Sequence, residues 1–245
     1  MKRTPRAAIF DVDGVLIDSL AEHLRICADE ARALKLDIAI PSASELRRMV
    51  ASGTKVSPML HFFLAVGFPH EQATLAVSDY QEFFMARYRP RLFAGVGAML
   101  HQLRQSGLLL GLVTSNIRSN TEPVLGEFIA LFEPKAVFYL DTEPRQASKS
   151  DRLKDGARNL ALLPSECAYV GDQPADVSAA QEAGIPFLGV TYGWGILPGE
   201  RRFEIADSVS EIPAKLLGST GAKQGAAALR GRGSSPKQRS ADRGR

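Results

Sequence analysis

Ala8-Ile9-Phe10-Asp11-Val12-Asp13-Gly14-Val15-Leu16-Ile17-Asp18-Ser19 decides how this chain of 245 residues is read. The short apolar run predicts a buried strand, and it stops at two carboxylates on alternate positions followed by glycine. On an extended backbone, side chains at i and i+2 point the same way, so Asp11 and Asp13 can face one small volume. Two carboxylates held that close repel unless a cation or a shared proton sits between them. The same pattern also suits a strand end whose Asp opens a turn or caps the next helix. Taken alone, the stretch leaves both readings open.

Working outward, strand-like runs recur at Leu108–Val113, Ala136–Leu140, Ala168–Val170 and Phe187–Thr191. Helical stretches lie between them at Thr121–Leu131, Asp151–Leu162 and Asp176–Ala183. With Ala7–Phe10 as the first strand, this alternation predicts an α/β fold, a Rossmann-like parallel sheet with helices on both faces. Ligands of such sheets bind beyond the carboxyl ends of the strands, where the strand order reverses. Asp13, Thr114, Lys149 and Asp172 fall just after apolar strands or in the loops beyond them, so they can converge there. About ninety residues separate the first two strands, too many for a simple crossover. Ser19–Leu36, Ser42–Val50, Val56–Val66 and His70–Tyr88 read as amphipathic helices, punctuated by Gly67-Phe68-Pro69 and Pro90. The expected organisation is an α/β core at residues 1–18 and 91–217, an inserted helical cap domain at 19–90, and a basic tail at 218–245. Gly95-Val96-Gly97 lacks the third glycine of a dinucleotide loop and follows no predicted strand, so that reading is set aside.

Composition is that of a globular chain able to bury a full core, with 45% hydrophobic and 23% charged residues. The net charge of +3 is unevenly placed: residues 218–245 hold seven Lys or Arg and one acid, which leaves residues 1–217 at −3. The basic balance is therefore no argument for nucleic-acid binding by the fold. The tail, with Leu229 as its only large apolar residue, is expected to be disordered, either as a solvated extension or as a contact for an anionic polymer or membrane. Cys27 and Cys167 form no disulfide framework and have no metal-ligand spacing, so both are expected to be reduced core thiols. No apolar run approaches the length of a membrane span, and the few apolar residues before Asp11 make no signal peptide. No membrane span, no specific nucleic-acid partner and a cytoplasmic location are expected.

The Asp11-x-Asp13-Gly14-Val15-Leu16 pattern with the following Asp18-Ser19 resembles the first motif of the haloacid dehalogenase-like hydrolases, most of which are phosphatases. Three further motifs of that family have counterparts in the same order. Leu108 to Thr114-Ser115-Asn116 resembles the second, the lone Lys149 the third, and Gly171-Asp172-Gln173-Pro174-Ala175-Asp176 the fourth. Ala179–Gly184 resembles the helix after the fourth motif, and the likeness runs from Ala7 to Leu217. The predicted insertion resembles the helical cap of the family's phosphoglycolate phosphatase and phosphoglucomutase branch. Thr191-Tyr192-Gly193-Trp194-Gly195 resembles the loop after the last strand in phosphoglycolate phosphatase-like members.

This resemblance implies roles. Asp11 would be the nucleophile, forming an aspartyl phosphate. Asp13 would be general acid and then base, with its backbone carbonyl on the metal. Asp11, Asp13 and Asp172 would hold Mg²⁺, and Asp176 would orient the site from behind those ligands. Thr114 and the backbone N–H groups after it, at Ser115 and Asn116, would bind phosphoryl oxygens, and Lys149 would neutralise both Asp11 and the phosphoryl group. Where the family usually has Lys-Pro, this chain has Lys149-Ser150, which loosens the loop's preset φ but keeps the charge. Plainer readings stand beside these. Thr114 suits a local turn, Lys149 suits a solvated surface lysine, and Asn116 suits a contact to substrate, to Asp11's loop or to a turn. Asp18 and Ser19 read as caps of the first cap helix. His23 suits either a proton partner over the site or simple packing, and Lys55 either a substrate anion or solvent. The expected function is a Mg²⁺-dependent phosphatase acting on a small phosphorylated metabolite, with phosphoglycolate as the leading candidate. A sugar-phosphate mutase of the same fold and a non-catalytic phosphate-binding relative are the alternatives. Dehalogenation is disfavoured because Asp13 is present.

Overall fold

A computed structural model of the chain describes residues 4–218, so the tail expectation falls, Gly218 apart, outside the described residues. The chain runs β1 (Ala7–Phe10), β2 (Ile17–Asp18), α1 (Leu20–Ala33), α2 (Ala43–Ala51), α3 (Met59–Val66), α4 (His70–Arg87), β3 (Arg91–Leu92) and α5 (Val96–Gln105). It continues with β4 (Leu109–Val113), α6 (Arg118–Leu125), β5 (Val137–Phe138), α7 (Lys149–Asn159), β6 (Cys167–Gly171), α8 (Pro174–Ala183), β7 (Phe187–Val190) and β8 (Glu204–Ala206).

Six strands form one sheet in the order β5-β4-β1-β6-β7-β8, and every neighbouring pair is parallel. β1 is therefore central, and its four residues are wholly buried because helices cover both faces. Alternation along it serves two cores. Ala8 and Phe10 pack with Leu110, Leu112 and Val170 under α5, whereas Ala7 and Ile9 pack with Leu153, Ala157 and Ala180 of α7 and α8. From β1 the sheet grows one way through β4 and β5, and the other way through β6, β7 and β8. The order reverses between β1 and β6, and there the flanking loops part to leave a crevice at the carboxyl ends of the strands.

Helices α1 to α4 all lie between β2 and β3, which pair antiparallel with Asp18 opposite Arg91. The chain thus enters and leaves these helices through one two-stranded ribbon, separate from the six-stranded sheet. These helices bury a cluster of their own, including Leu46, Phe62, Phe63, Tyr80 and Phe84, and Trp194 from the loop after β7 inserts into it.

Several local expectations shift. Lys149 is not in a loop: it is the first residue of α7, whose preceding Ser148 accepts from the Asp151 N–H while the Asp151 side chain returns to the Ser148 N–H. This reciprocal cap does the work expected of a proline after the lysine. The helix expected at Thr121–Leu131 begins earlier, at Arg118, and gives way at Gly126 to a 3₁₀ turn over Gly126–Leu131. β5 pairs over only two residues, because the carbonyls of Tyr139, Leu140 and Thr142 turn to the buried guanidinium of Arg152. The ribbon β2–β3 and the edge strand β8 are too short to leave a periodic signal.

Candidate active site

Asp11 is the first residue beyond β1, and its N–H still bonds the Val170 carbonyl of β6 at 2.9 Å. Asp172 is the first residue beyond β6. The two carboxylates thus end the pair of strands that flank the reversal in strand order. Their approach depends on glycine. Gly14 has φ of +81°, and a Cβ there would stand 2.1 Å from Asp172 Oδ2; a Cβ on Gly193 would stand 2.4 Å from the same atom.

Lys149 Nζ lies 3.0 Å from Asp11 Oδ2 and 2.7 Å from Asp176 Oδ1. Asp176 is saturated: its Oδ1 also accepts from the Tyr169 hydroxyl, and its Oδ2 accepts from the backbone N–H groups of Asp172 and Gln173. Asp172 Oδ2 accepts from the Trp194 N–H at 2.6 Å, while its Oδ1 is buried with no hydrogen-bond partner. Carboxylate oxygens of Asp11, Asp172 and Asp176 all lie within 4.8 Å of one another. Burial pushes Asp11 up to about 7 despite the neighbouring Lys149 ammonium. Burial, with Asp176 and Asp11 close by, raises Asp172 well above the usual carboxylate range. Lys149 is raised as well: burial alone would lower it, but Asp11 and Asp176 outweigh that and hold it charged.

Of the expected metal set, Asp13 turns its carboxylate away from this cluster. Its Oδ1 accepts from the Ser19 hydroxyl at 2.5 Å and its Oδ2 from Asn116 Nδ2 at 2.9 Å. Its side chain is therefore no part of the carboxylate cluster of Asp11, Asp172 and Asp176. Ser19 stands at the N-cap of α1 but makes no side-chain capping bond, contrary to expectation: its backbone is helical rather than extended, and its hydroxyl donates to Asp13. Of the three contacts open to Asn116, the structure shows two, the one to Asp11's loop and a local turn. Its Oδ1 also accepts from the Tyr80 hydroxyl at 3.1 Å and from the Ile117 N–H. Thr114 does hold a local turn, since its Oγ accepts from the Asn116 N–H at 3.0 Å, which leaves its own proton free to donate. His23 is buried, with Nδ1 on the Ser19 carbonyl at 2.8 Å and Nε2 facing the Tyr80 hydroxyl at 3.4 Å. Rings of Phe62, Tyr80, Phe84 and Trp194 surround it.

Asp11, Asp13, Thr114, Ser115, Asn116 and His23 all line one cleft of about 120 Å³ between the sheet and the insertion. Lys55 is exposed and lies outside this lining. Three participants escaped the sequence reading: Tyr80, Tyr169 and the Trp194 N–H. Tyr80 continues the buried stripe Ala73, Ala76, Tyr80, Phe84 of α4, so only its hydroxyl sets it apart from core. Tyr169 sits inside an apolar strand, and a backbone donor leaves no trace in a sequence.

Residues 8–190 match the family model described as haloacid dehalogenase-like hydrolase. The chain is 28% identical over 222 residues to a phosphoglycolate phosphatase of Xanthomonas campestris pv. campestris, covering 87% of this chain and 96% of that one. It is 23% identical over 193 residues to an N-acetylmuramic acid 6-phosphate phosphatase of Pseudomonas aeruginosa, covering 77% and 83%. In structure it resembles a haloacid dehalogenase-like family hydrolase from Streptococcus pneumoniae, with a TM-score of 0.71 at 23% identity over 86% of this chain and 98% of that one.

Proposed function

Since the chain belongs to the haloacid dehalogenase-like hydrolase family, we propose that it is a Mg²⁺-dependent phosphatase that releases phosphate from a small phosphomonoester through an aspartyl phosphate on Asp11. The observation that carries this reading is the pairing of Lys149 with Asp11 beside the unpartnered Asp172 Oδ1. A cation fits here. Asp172 has a buried oxygen with nothing to bond, and Asp11 and Asp172 are both pushed toward protonation by burial, a penalty that a bound cation removes. Asp11, Asp172 and the Asp13 carbonyl would hold Mg²⁺, an all-oxygen set suited to a hard ion. Bound there, the ion would supply charge to the phosphoryl oxygens and hold Asp11 ionised.

The chain's own groups do the rest. An Asp11 oxygen attacks phosphorus as the ester oxygen leaves, and that oxygen takes its proton from Asp13. Asp13 then receives the proton of the water that attacks the phosphorus of the aspartyl phosphate, which restores both carboxyls. Lys149, anchored by Asp176, neutralises Asp11 and the transferring group, while Thr114 and the N–H groups after it bind phosphoryl oxygens. The four inserted helices act as a cap that excludes water from the cleft and contacts the leaving alcohol. Cys27 and Cys167 are free and buried thiols, which suits a reducing compartment, and we place the enzyme in the cytoplasm.

The test is phosphate release from a panel of phosphomonoesters with Mg²⁺ and with excess chelator. Release should require the metal, and Asp11→Asn should lower it on the order of 10⁴-fold or more while the circular dichroism spectrum is unchanged. Near-normal turnover by folded Asp11→Asn would overturn the mechanism.

A further inference from the structure

We infer that the alcohol half of the substrate is neutral and apolar, and that the cap wall of the cleft selects against a carboxylate at that end. This rests on the phosphatase reading and sharpens it. The two ends of the cleft differ in chemistry. At the floor stand Asp11, Thr114 and, behind Asp11, the Lys149 ammonium. The wall contributed by the insertion is Val56, Pro58, Met59, Leu60, Phe62 and Val77. Its polar members, Ser57, Gln81 and the Tyr80 hydroxyl, carry no charge, Trp194 packs against Phe62 of the same wall with ring centroids 5.6 Å apart, and Leu140 lines the cleft from the loop after β5.

Among the described residues that line the cleft, none is lysine or arginine. The nearby cations are engaged elsewhere or face away. Lys149 is held between Asp11 and Asp176, and Lys55, next to the wall residue Val56, is exposed outside the lining. His23, the remaining basic group at the cleft, directs Nδ1 to the Ser19 carbonyl and Nε2 to the Tyr80 oxygen. A carboxylate lodged against this wall would lose its water, gain no counter-charge and lie in the field of Asp11 and Asp13. An alkyl or aryl group would exchange water for aliphatic and aromatic contacts, so each buried methylene should raise kcat/KM roughly fourfold.

A matched pair of esters tests this with the Mg²⁺-loaded full chain. Isobutyl phosphate is the neutral counterpart of 2-phosphoglycolate, with two methyl groups in place of the two carboxylate oxygens. Para-nitrophenyl phosphate, whose leaving group needs little protonation, reports whether the phosphoryl chemistry is intact. The expected result is a kcat/KM at least tenfold higher for isobutyl phosphate than for 2-phosphoglycolate. Leu60→Lys, which puts a cation on the half-buried wall, should narrow or reverse that ratio while its circular dichroism spectrum is unchanged. Equal use of the pair, or a preference for 2-phosphoglycolate that Lys55→Ala abolishes, would overturn the inference and leave the phosphatase reading standing. An unchanged ratio in folded Leu60→Lys would overturn the role of the wall. Failure to hydrolyse any of the three esters would overturn both readings together.

Discussion

Asp13 sits at the meeting point of two parts of the chain: Ser19 reaches it from the start of α1, and Asn116 from the loop after β4. Through Asn116 it is also tied to Tyr80 on α4, so a residue of the insertion stands two hydrogen bonds from the proposed proton donor. Asp13→Asn should slow turnover by roughly 10²–10⁴-fold on an alkyl phosphate and much less on an aryl phosphate, whose leaving group needs little protonation. Equal losses on the two esters would remove Asp13 from the proton path. Tyr80→Phe deletes one hydroxyl and keeps the ring; loss of a single hydrogen bond of about 1 kcal/mol predicts a fall of roughly fivefold in kcat. The fall should come with a drop of no more than roughly 2–4 °C in melting temperature, and unaltered kcat would mean that the Tyr80 link does not serve Asp13. Asp11, Asp13 and Asp172 were legible in sequence because they follow predicted strands, whereas Lys149 falls between predicted elements and was reached only through the resemblance. The Ser19 hydroxyl was not, because a serine before a helix suits capping equally well, and only the position of Asp13 decides where its proton goes.

Helices α1 and α4 meet across a charged seam. Arg87 Nη1 lies 2.5 Å from Asp79 Oδ2 and 3.7 Å from Glu30 Oε1, and Glu30 is nearly buried. Burial, and then its contact with Asp79, push Glu30 up to about 7 although Arg87 pulls the other way. The folded chain therefore keeps a proton on Glu30 that the unfolded chain releases near the ordinary glutamate range of about 4.3. Stability contributed by that proton is present at low pH and is lost as pH rises toward 7. Glu30→Gln, neutral throughout, should accordingly gain on the wild type by a few degrees of melting temperature between pH 5 and pH 8. A gap that stays constant or shrinks over that range would show that the ion pair with Arg87 dominates instead. The helices were the elements best read in advance, since His70–Tyr88 and Ser42–Val50 carry long or well-capped patterns and form as α4 and α2 to within a residue or two. β5 was overread because Tyr139 and Leu140 look like strand residues, yet the buried Arg152 takes their carbonyls out of the ladder.

At the scale of the molecule, strand order and insertion together place three buried carboxylates at the one reversal of the sheet. Without a cation their mutual repulsion opposes folding, so metal should stabilise the whole chain. At a hundredfold excess over Kd, Mg²⁺ should add about 2.7 kcal/mol, or roughly 5–10 °C of melting temperature. Asp172→Asn should melt above the wild type in chelator and below it in Mg²⁺, because the substitution removes both the repulsion and a ligand. Curves that do not cross would argue against the site. The alternation of strands and helices made the parallel sheet legible, but which strands flank the reversal is a property of the assembled sheet and no single segment encodes it. The ribbon of Ile17–Asp18 against Arg91–Leu92 has a separate consequence. Because the excursion of some seventy residues starts and ends on paired neighbours, the distance it must span is the same whatever its length or shape. Evolution, or a protein engineer, can exchange that segment for another, or shorten it to a tight turn, without moving a single register in the sheet beneath.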